Sequence, residues 1–274
     1  MHINGAFRPR KSLGQHFLVD RQVAEKIVGA ADVSDQDTVL EIGPGHGALT
    51  ELLVARAHKV IAVEIDRRLG VRLKARFASN PNFVLLEADI LQVDLRALVQ
   101  SLPCPHLRIV ANLPYSITSP VLFKLLDYND VVDRAILTMQ REVAERLVAE
   151  PGPNYSFLSL AVQLQSVPRR LFHIAPDAFR PKPKVQSSVL SLDLSKGVCV
   201  SPDVRRTVLR VAKTTFGQRR KMLRSSLLTM PLSKPDLAEI AEDTGIELSR
   251  RPETLSIEEW LILGQAVRRL KKAE

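Results

Sequence analysis

Thr38-Val39-Leu40-Glu41-Ile42-Gly43-Pro44-Gly45-His46-Gly47-Ala48-Leu49 is the stretch on which the fold turns. An apolar run at 39–42 reads as a strand, three glycines break it, and a helix-like stretch follows at 49–57. Strand, glycine turn and helix together open a parallel α/β sheet. Working outward, apolar runs at 60–63, 83–86, 109–111 and 135–139 alternate with helix-like stretches at 67–77, 120–126 and 141–149. This alternation predicts a Rossmann-like α/β sheet with helices on both faces. Upstream, a helix over 20–31 is capped by Asp20, with Val23, Ala24, Ile27 and Val28 on one face. A late strand at 185–192 is expected as an antiparallel edge of the same sheet.

A boundary falls near 195–202. Ser201-Pro202 has the form of a helix start, with Ser as N-cap and Pro at the first helical position. Beyond it the pattern is helical and strand-poor. Val208, Val211, Ala212 and Phe216 share a face, a second helix runs through Met222 and Leu223, and two more are expected at 237–241 and 257–270. Residues 1–200 are therefore read as the α/β domain with a basic N-terminal arm, and 201–274 as a small all-helical domain.

The 274 residues are 45% hydrophobic, enough for ordinary globular cores. No apolar run approaches the ~20 residues of a membrane span. Met1 to Lys11 lacks the apolar segment of a secretory signal. Cys104 and Cys199 have no CxxC spacing, which predicts neither a disulfide framework nor structural zinc and suits a reducing compartment. There is no HExxH and the six histidines are scattered, so no protein metal site is expected. Net charge is +9, from 39 Lys+Arg against 30 Asp+Glu. Eight basic residues and no acidic one fall between Arg205 and Arg224. Arg8, Arg10 and Lys11 open the chain, and Arg180, Lys182 and Lys184 lie close together. One such cluster is ordinarily a solvated face; three beside a base-holding motif favour a nucleic-acid partner.

The glycine turn of Gly43, Gly45 and Gly47 lets a ligand approach the backbone. No Gly-Lys-Ser/Thr follows, so a P-loop is excluded, while Gly43-x-Gly45-x-x-Ala48 still satisfies a loose dinucleotide fingerprint. Three carboxylates point elsewhere. Glu64 ends the second of these strands, where it would accept both ribose hydroxyls. Asp89 ends the third, where it would meet an adenine amine, and Glu41 precedes the first glycine. An acidic rim suits S-adenosylmethionine, which carries a sulfonium and an ammonium and no phosphate. The plainer reading is that Glu64 and Asp89 are polar strand ends or helix caps.

Asn112-Leu113-Pro114-Tyr115 closes the strand-like run from Leu107. The Asn112 amide oxygen and the Leu113 carbonyl form an acceptor pair for the hydrogens of an exocyclic amine. Pro114 fixes its own φ, and Tyr115 offers a face on which a base stacks. An amine so held loses delocalisation into the ring and becomes a better nucleophile, which points to methyl transfer to a nucleobase nitrogen. A strand end followed by a proline turn is the commoner explanation of such a tetrapeptide taken alone.

With these residues in hand, the chain resembles the KsgA (RsmA) family of ribosomal RNA adenine dimethyltransferases along nearly its whole length. The likeness runs through Lys11-Ser12-Leu13-Gly14-Gln15-His16-Phe17-Leu18, then Glu41 to Gly47 and Asn112 to Tyr115. It continues through Phe179-Arg180-Pro181-Lys182-Pro183-Lys184-Val185-Gln186-Ser187-Ser188-Val189, Phe216-Gly217-Gln218-Arg219-Arg220-Lys221 and Arg251-Pro252-Glu253-Thr254-Leu255-Ser256. The resemblance implies a substrate of two neighbouring adenines in a hairpin loop near the 3′ end of 16S ribosomal RNA, each methylated twice on N6 late in small-subunit assembly. It implies a cytoplasmic monomer whose cofactor site comprises His16, Leu18, Glu41, Gly43, Gly45, Glu64, Ile65, Asp89, Ile90 and Asn112. Asn112, Leu113 and Tyr115 would act at the base, with Phe179 either a second aromatic wall or a core residue. Arg219, Arg220, Lys221, Arg224, Lys182 and Lys184 would meet the RNA. Ser156-Phe157 departs from the family, which usually has Gly and then Arg or a similar residue there, in a loop expected at the active-site rim. Erm-type enzymes, which methylate a large-subunit adenine, are the nearest alternative. A nicotinamide-dependent reductase and a non-catalytic RNA-binding factor are further ones.

Overall fold

The computed structural model describes residues 9–10, 14–100, 102 and 106–270. Arg8, Lys11 and Cys104, used above, lie outside the described residues. The chain forms two compact units, Met1–Ala144 with Ser166–Lys196, and Glu145–Gln165 with Gly197–Glu274.

In chain order β1 (Phe17–Leu18) and α1 (Arg21–Ala31) precede β2 (Thr38–Ile42), α2 (Ala48–Val54), β3 (Lys59–Glu64) and α3 (Arg67–Arg76). Then come β4 (Phe83–Glu87), α4 (Leu95–Val99), β5 (Leu107–Asn112), α5 (Thr118–Asp127) and β6 (Val132–Gln140). After α6 (Arg141–Leu147) and α7 (Phe157–Gln165) the sheet resumes with β7 (Val167–Ile174), β8 (Phe179–Arg180) and β9 (Ser187–Asp193). The main sheet has seven strands in the order β4-β3-β2-β5-β6-β9-β7. β4 to β6 are parallel, while β9 runs antiparallel to β6, and β7 antiparallel to β9. Helices cover the sheet, so every residue of β2 is buried, as expected for a parallel strand with no solvent face. The late strand expected as an edge is thus antiparallel but internal, and β7 forms the edge.

Chain order reverses beside β2, whose neighbours are β3 and β5. Such a switch point opens a crevice beyond the carboxyl ends of the strands. The registers set these ends side by side: Ile42 pairs with Val63 and with Ala111, Glu64 with Glu87, and Asn112 with Thr138. A separate two-stranded sheet pairs Phe17 with Arg180 and Leu18 with Phe179. The expected start of α1 holds, the Asp20 carboxylate accepting from the Val23 amide at 3.1 Å.

The second unit contains α7, α8 (Pro202–Phe216), α9 (Leu223–Leu227), α10 (Lys234–Thr244) and α11 (Ile257–Leu270). Ser201 caps α8 with Pro202 in its first turn, as the sequence predicts. The expected boundary at 200/201 needs amendment, because Tyr155, Leu160 and Leu164 belong to the same apolar core as Val208, Trp260 and Leu263. At Gly264 of α11 an added Cβ would collide with Val208 of α8, so the two helices pack almost backbone to side chain there.

Candidate active site

A cleft at the switch point is lined by residues 14–18, the turn from Glu41 to His46, Glu64, Ile65, Asp89, Ile90 and the segment from Asn112 to Ile117. All ten residues assigned from sequence to the cofactor line it: His16, Leu18, Glu41, Gly43, Gly45, Glu64, Ile65, Asp89, Ile90 and Asn112. The glycine turn is built for close approach. Gly45 has φ +60°, and a Cβ there would come within 2.9 Å of the Phe17 ring.

Glu64 is 5% exposed and receives one backbone bond per oxygen, from the Gly45 amide at 3.2 Å and the Asp66 amide at 2.9 Å. Burial raises its pKa, against the lowering effect of those amides. Asp89 serves as both a cap and a pocket residue. One of its oxygens accepts from the Leu91 amide at 2.9 Å, which leaves the other for a ligand. Glu41 is 1% exposed and accepts from the Thr50 hydroxyl at 2.6 Å. Desolvation, with the nearby Glu64 charge, pushes its pKa up to about 8. Asp66, held down to about 2 chiefly by its hydrogen bond from Arg68, accepts from the Gln15 amide at 3.3 Å. That bond and the β1–β8 pairing hold the residue 14–18 wall in place.

At the reacting end, Asn112 Nδ2 donates to the His16 carbonyl at 2.9 Å, so its amide oxygen is the end left for a ligand. The Leu113 amide donates to the Thr138 carbonyl at 3.0 Å, which ties the backbone at the end of β5 to β6. His16 Nδ1–H donates to the Pro181 carbonyl at 2.7 Å, which makes Nε2 the acceptor nitrogen of the neutral ring. The His16 and Tyr115 rings lie 5.4 Å apart. Phe179 requires correction as an aromatic wall. It is 1% exposed, packs in an apolar cluster with Leu18, Ile27 and Val189, and does not line the cleft. Pairing of β8 with β1 directs it inward. Sequence reasoning passed over Phe17 and His46, whose rings meet at the glycine turn with centroids 4.3 Å apart and planes tilted by 52°. His46, standing between Gly45 and Gly47, was the available signal.

The basic residues separate by environment. Arg219, Arg220 and Lys221 stand on the turn between α8 and α9, because α8 ends at Phe216. The Arg219 guanidinium donates to the carbonyls of Pro153 and Tyr155 and lies 4.0 Å from the Glu253 carboxylate. Arg220, Lys221 and Arg224 are exposed. In the first unit Lys184 is exposed, and Lys182 forms a surface ion pair with Asp177 at 2.6 Å. The Ser156-Phe157 departure lies in the second unit. Ser156 Oγ accepts from the Ser159 amide at the start of α7, and Phe157 packs against the core.

A family model described as ribosomal RNA adenine dimethylase matches residues 6–263. The chain belongs to this family. Ribosomal RNA small subunit methyltransferase A of Syntrophotalea carbinolica is 42% identical over 95% of this chain and 97% of its own. Its namesake from Alkaliphilus oremlandii is 40% identical over 94% and 91% respectively. Among solved structures, a dimethyladenosine transferase from Plasmodium falciparum has a TM-score of 0.78 at 26% identity, covering 94% of this chain and 98% of that one. The 23S rRNA methyltransferase ErmE, with a TM-score of 0.71 at 24% identity over 92% and 99%, shares the fold.

Ribosomal RNA adenine dimethylases draw their methyl group from S-adenosylmethionine, and the cleft fits that molecule. Among the described residues no Lys or Arg lines it, so a pyrophosphate would find no cation there, whereas a sulfonium and an ammonium meet none that repels them. Ile65, though apolar, is 51% exposed at the rim, a platform suited to a purine face. Among the described residues no group of three or more His, Cys, Asp or Glu is placed to hold a metal ion. No described helix is long and apolar enough to cross a membrane.

Proposed function

We propose that this protein dimethylates N6 of two adjacent adenosines in a hairpin loop near the 3′ end of 16S ribosomal RNA, in the immature small subunit. It acts as a monomer in the cytoplasm. The observation that carries the reading is the amide of Asn112, whose nitrogen donates to the His16 carbonyl and so leaves its oxygen for a ligand. Small-subunit relatives at 40–42% identity favour this target over a large-subunit adenine.

Glu64 would hold the ribose of the cofactor, Asp89 its adenine amine and Glu41 its ammonium end. When bound, the cofactor supplies an electrophilic methyl group. Asn112 and Leu113 accept the two hydrogens of the adenine amine and draw its lone pair out of the ring. Tyr115 stacks on the base, an interaction worth ~1–3 kcal/mol in comparable complexes. Aligning amine and methyl carbon then supplies much of the acceleration. After the first transfer the amine retains one hydrogen, so only one of the two acceptors is engaged in the second. The base must be unpaired or flipped out. Arg220, Lys221, Arg224 and Lys184 attract phosphates.

Nucleoside mass spectrometry after incubation with unmodified small subunits, with large subunits in parallel, tests the reading. Dimethyladenosine in small-subunit RNA alone is expected. Product confined to large-subunit RNA would establish the Erm-type alternative, and RNA binding without product a non-catalytic factor.

A further inference from the structure

Tyr115 sits on a single 3-10 turn, Tyr115–Ile117, which holds a side chain less firmly than a strand or long helix does. Its hydroxyl, however, lies 2.7 Å from Ser187 Oγ. Ser187 opens β9, pairs with Gln140 on one side and Ile174 on the other, and is 0% exposed. Its hydroxyl is therefore carried by backbone fixed between two strands. The adjacent Ser188 points to the opposite face, where its Oγ meets His173 Nδ1 at 2.8 Å, so the two serines have separate partners.

We infer that Ser187 is a positioning residue for the transfer, fixing through the Tyr115 hydroxyl the place of the ring on which the target base stacks. A tyrosine side chain chooses among staggered χ1 wells, and each puts the ring in a different place. A tether at the phenolic oxygen, about as far from the backbone as the side chain reaches, selects one of these wells and fixes where the ring lies. Each base then stacks at one place, which keeps the amine near Asn112 and Leu113. This matters most in the second transfer, when the amine has lost one of its two hydrogens.

The inference rests on the adenosine-N6 reading, and the test separates the two. Wild-type enzyme, Ser187→Ala, Tyr115→Phe and the double variant are compared on unmodified small subunits. Turnover, cofactor affinity and the ratio of mono- to dimethyladenosine are measured for each. Each single variant is expected to lose about tenfold in turnover, a tenth of the loss that a 1 Å misplacement can cause. Monomethyl product should accumulate, with cofactor affinity unchanged. The double variant should be no worse than either single one, because both remove the same bond. Ser187→Thr, which keeps the hydroxyl, should restore most of the turnover. Losses that multiply in the double variant would overturn the inference, as would Ser187→Ala acting like wild type. A wild-type enzyme that makes no dimethyladenosine would overturn the functional reading itself.

Discussion

Glu41 and Asn112 line one cleft but meet opposite demands. Glu41 is a carboxyl stripped of water, with a pKa raised to about 8 by burial. Its folded pKa lies above its unfolded one, so the folded state holds the proton more tightly. Its contribution to stability is full below the unfolded value near 4.5 and is lost as pH rises through about 8. Urea midpoints between these limits should therefore fall with pH more steeply for wild type than for Glu41→Gln; parallel profiles would show an ionised Glu41. In the proposed reaction, transfer depends on Asn112. Asn112→Ala should cost about 10²–10³-fold in turnover, the scale of removing one preorganised polar group, while RNA affinity stays unchanged in a filter-binding assay. Retained turnover would remove Asn112 from the reaction. The polar residues were legible because strand-end carboxylates and an Asn-x-Pro-aromatic turn have few other uses in combination. Phe179 was not, since an aromatic beside basic residues reads equally as wall or core until the pairing of its strand is known.

Among the elements, the turn between α8 and α9 shows how one basic run divides its labour. Arg219 is spent on the Pro153 and Tyr155 carbonyls, while Arg220 and Lys221 face solvent. Arg220→Gln and Lys221→Gln should each lower the slope of log affinity for RNA against log salt by about 0.7–0.9 for every phosphate left without its cation. Arg219→Gln should chiefly lower the melting temperature. Equal slopes in all three variants would reject this division. Gly264 makes a second element-scale case. Gly264→Ala forces a Cβ into Val208 and should destabilise by about 1–3 kcal/mol, read from the denaturation midpoint. Helices with clear caps and apolar faces, such as α1, α8 and α11, could be read directly from sequence. β7 could not, because Pro168, the Arg169-Arg170 pair and an irregularity between Arg170 and Phe172 break its alternation. β1 and β8 have two residues each, too few for any period.

At the scale of the whole molecule, alternating strands and helices disclosed the sheet, and the glycine turn located its switch point. The division into units was harder to see. Sequence placed the boundary where strands cease, near Ser201, but Glu145–Gln165 joins the second unit because its apolar residues complete that core. Membership of a core is a tertiary fact that local composition does not record. The +9 charge makes salt a discriminating variable. RNA binding should weaken by about 10³ or more between ~50 and ~200 mM salt if six phosphates are neutralised. Cofactor binding in its buried cleft should change far less, as isothermal calorimetry would report. The pairing of Phe17–Leu18 with Phe179–Arg180 carries a consequence in time. One wall of the cleft is made early on the ribosome, and the strand that anchors it emerges about 160 residues later. At ~5–20 residues per second this is a delay of roughly 8–30 s, during which the nascent chain has its glycine turn and acidic rim but lacks the anchor for that wall.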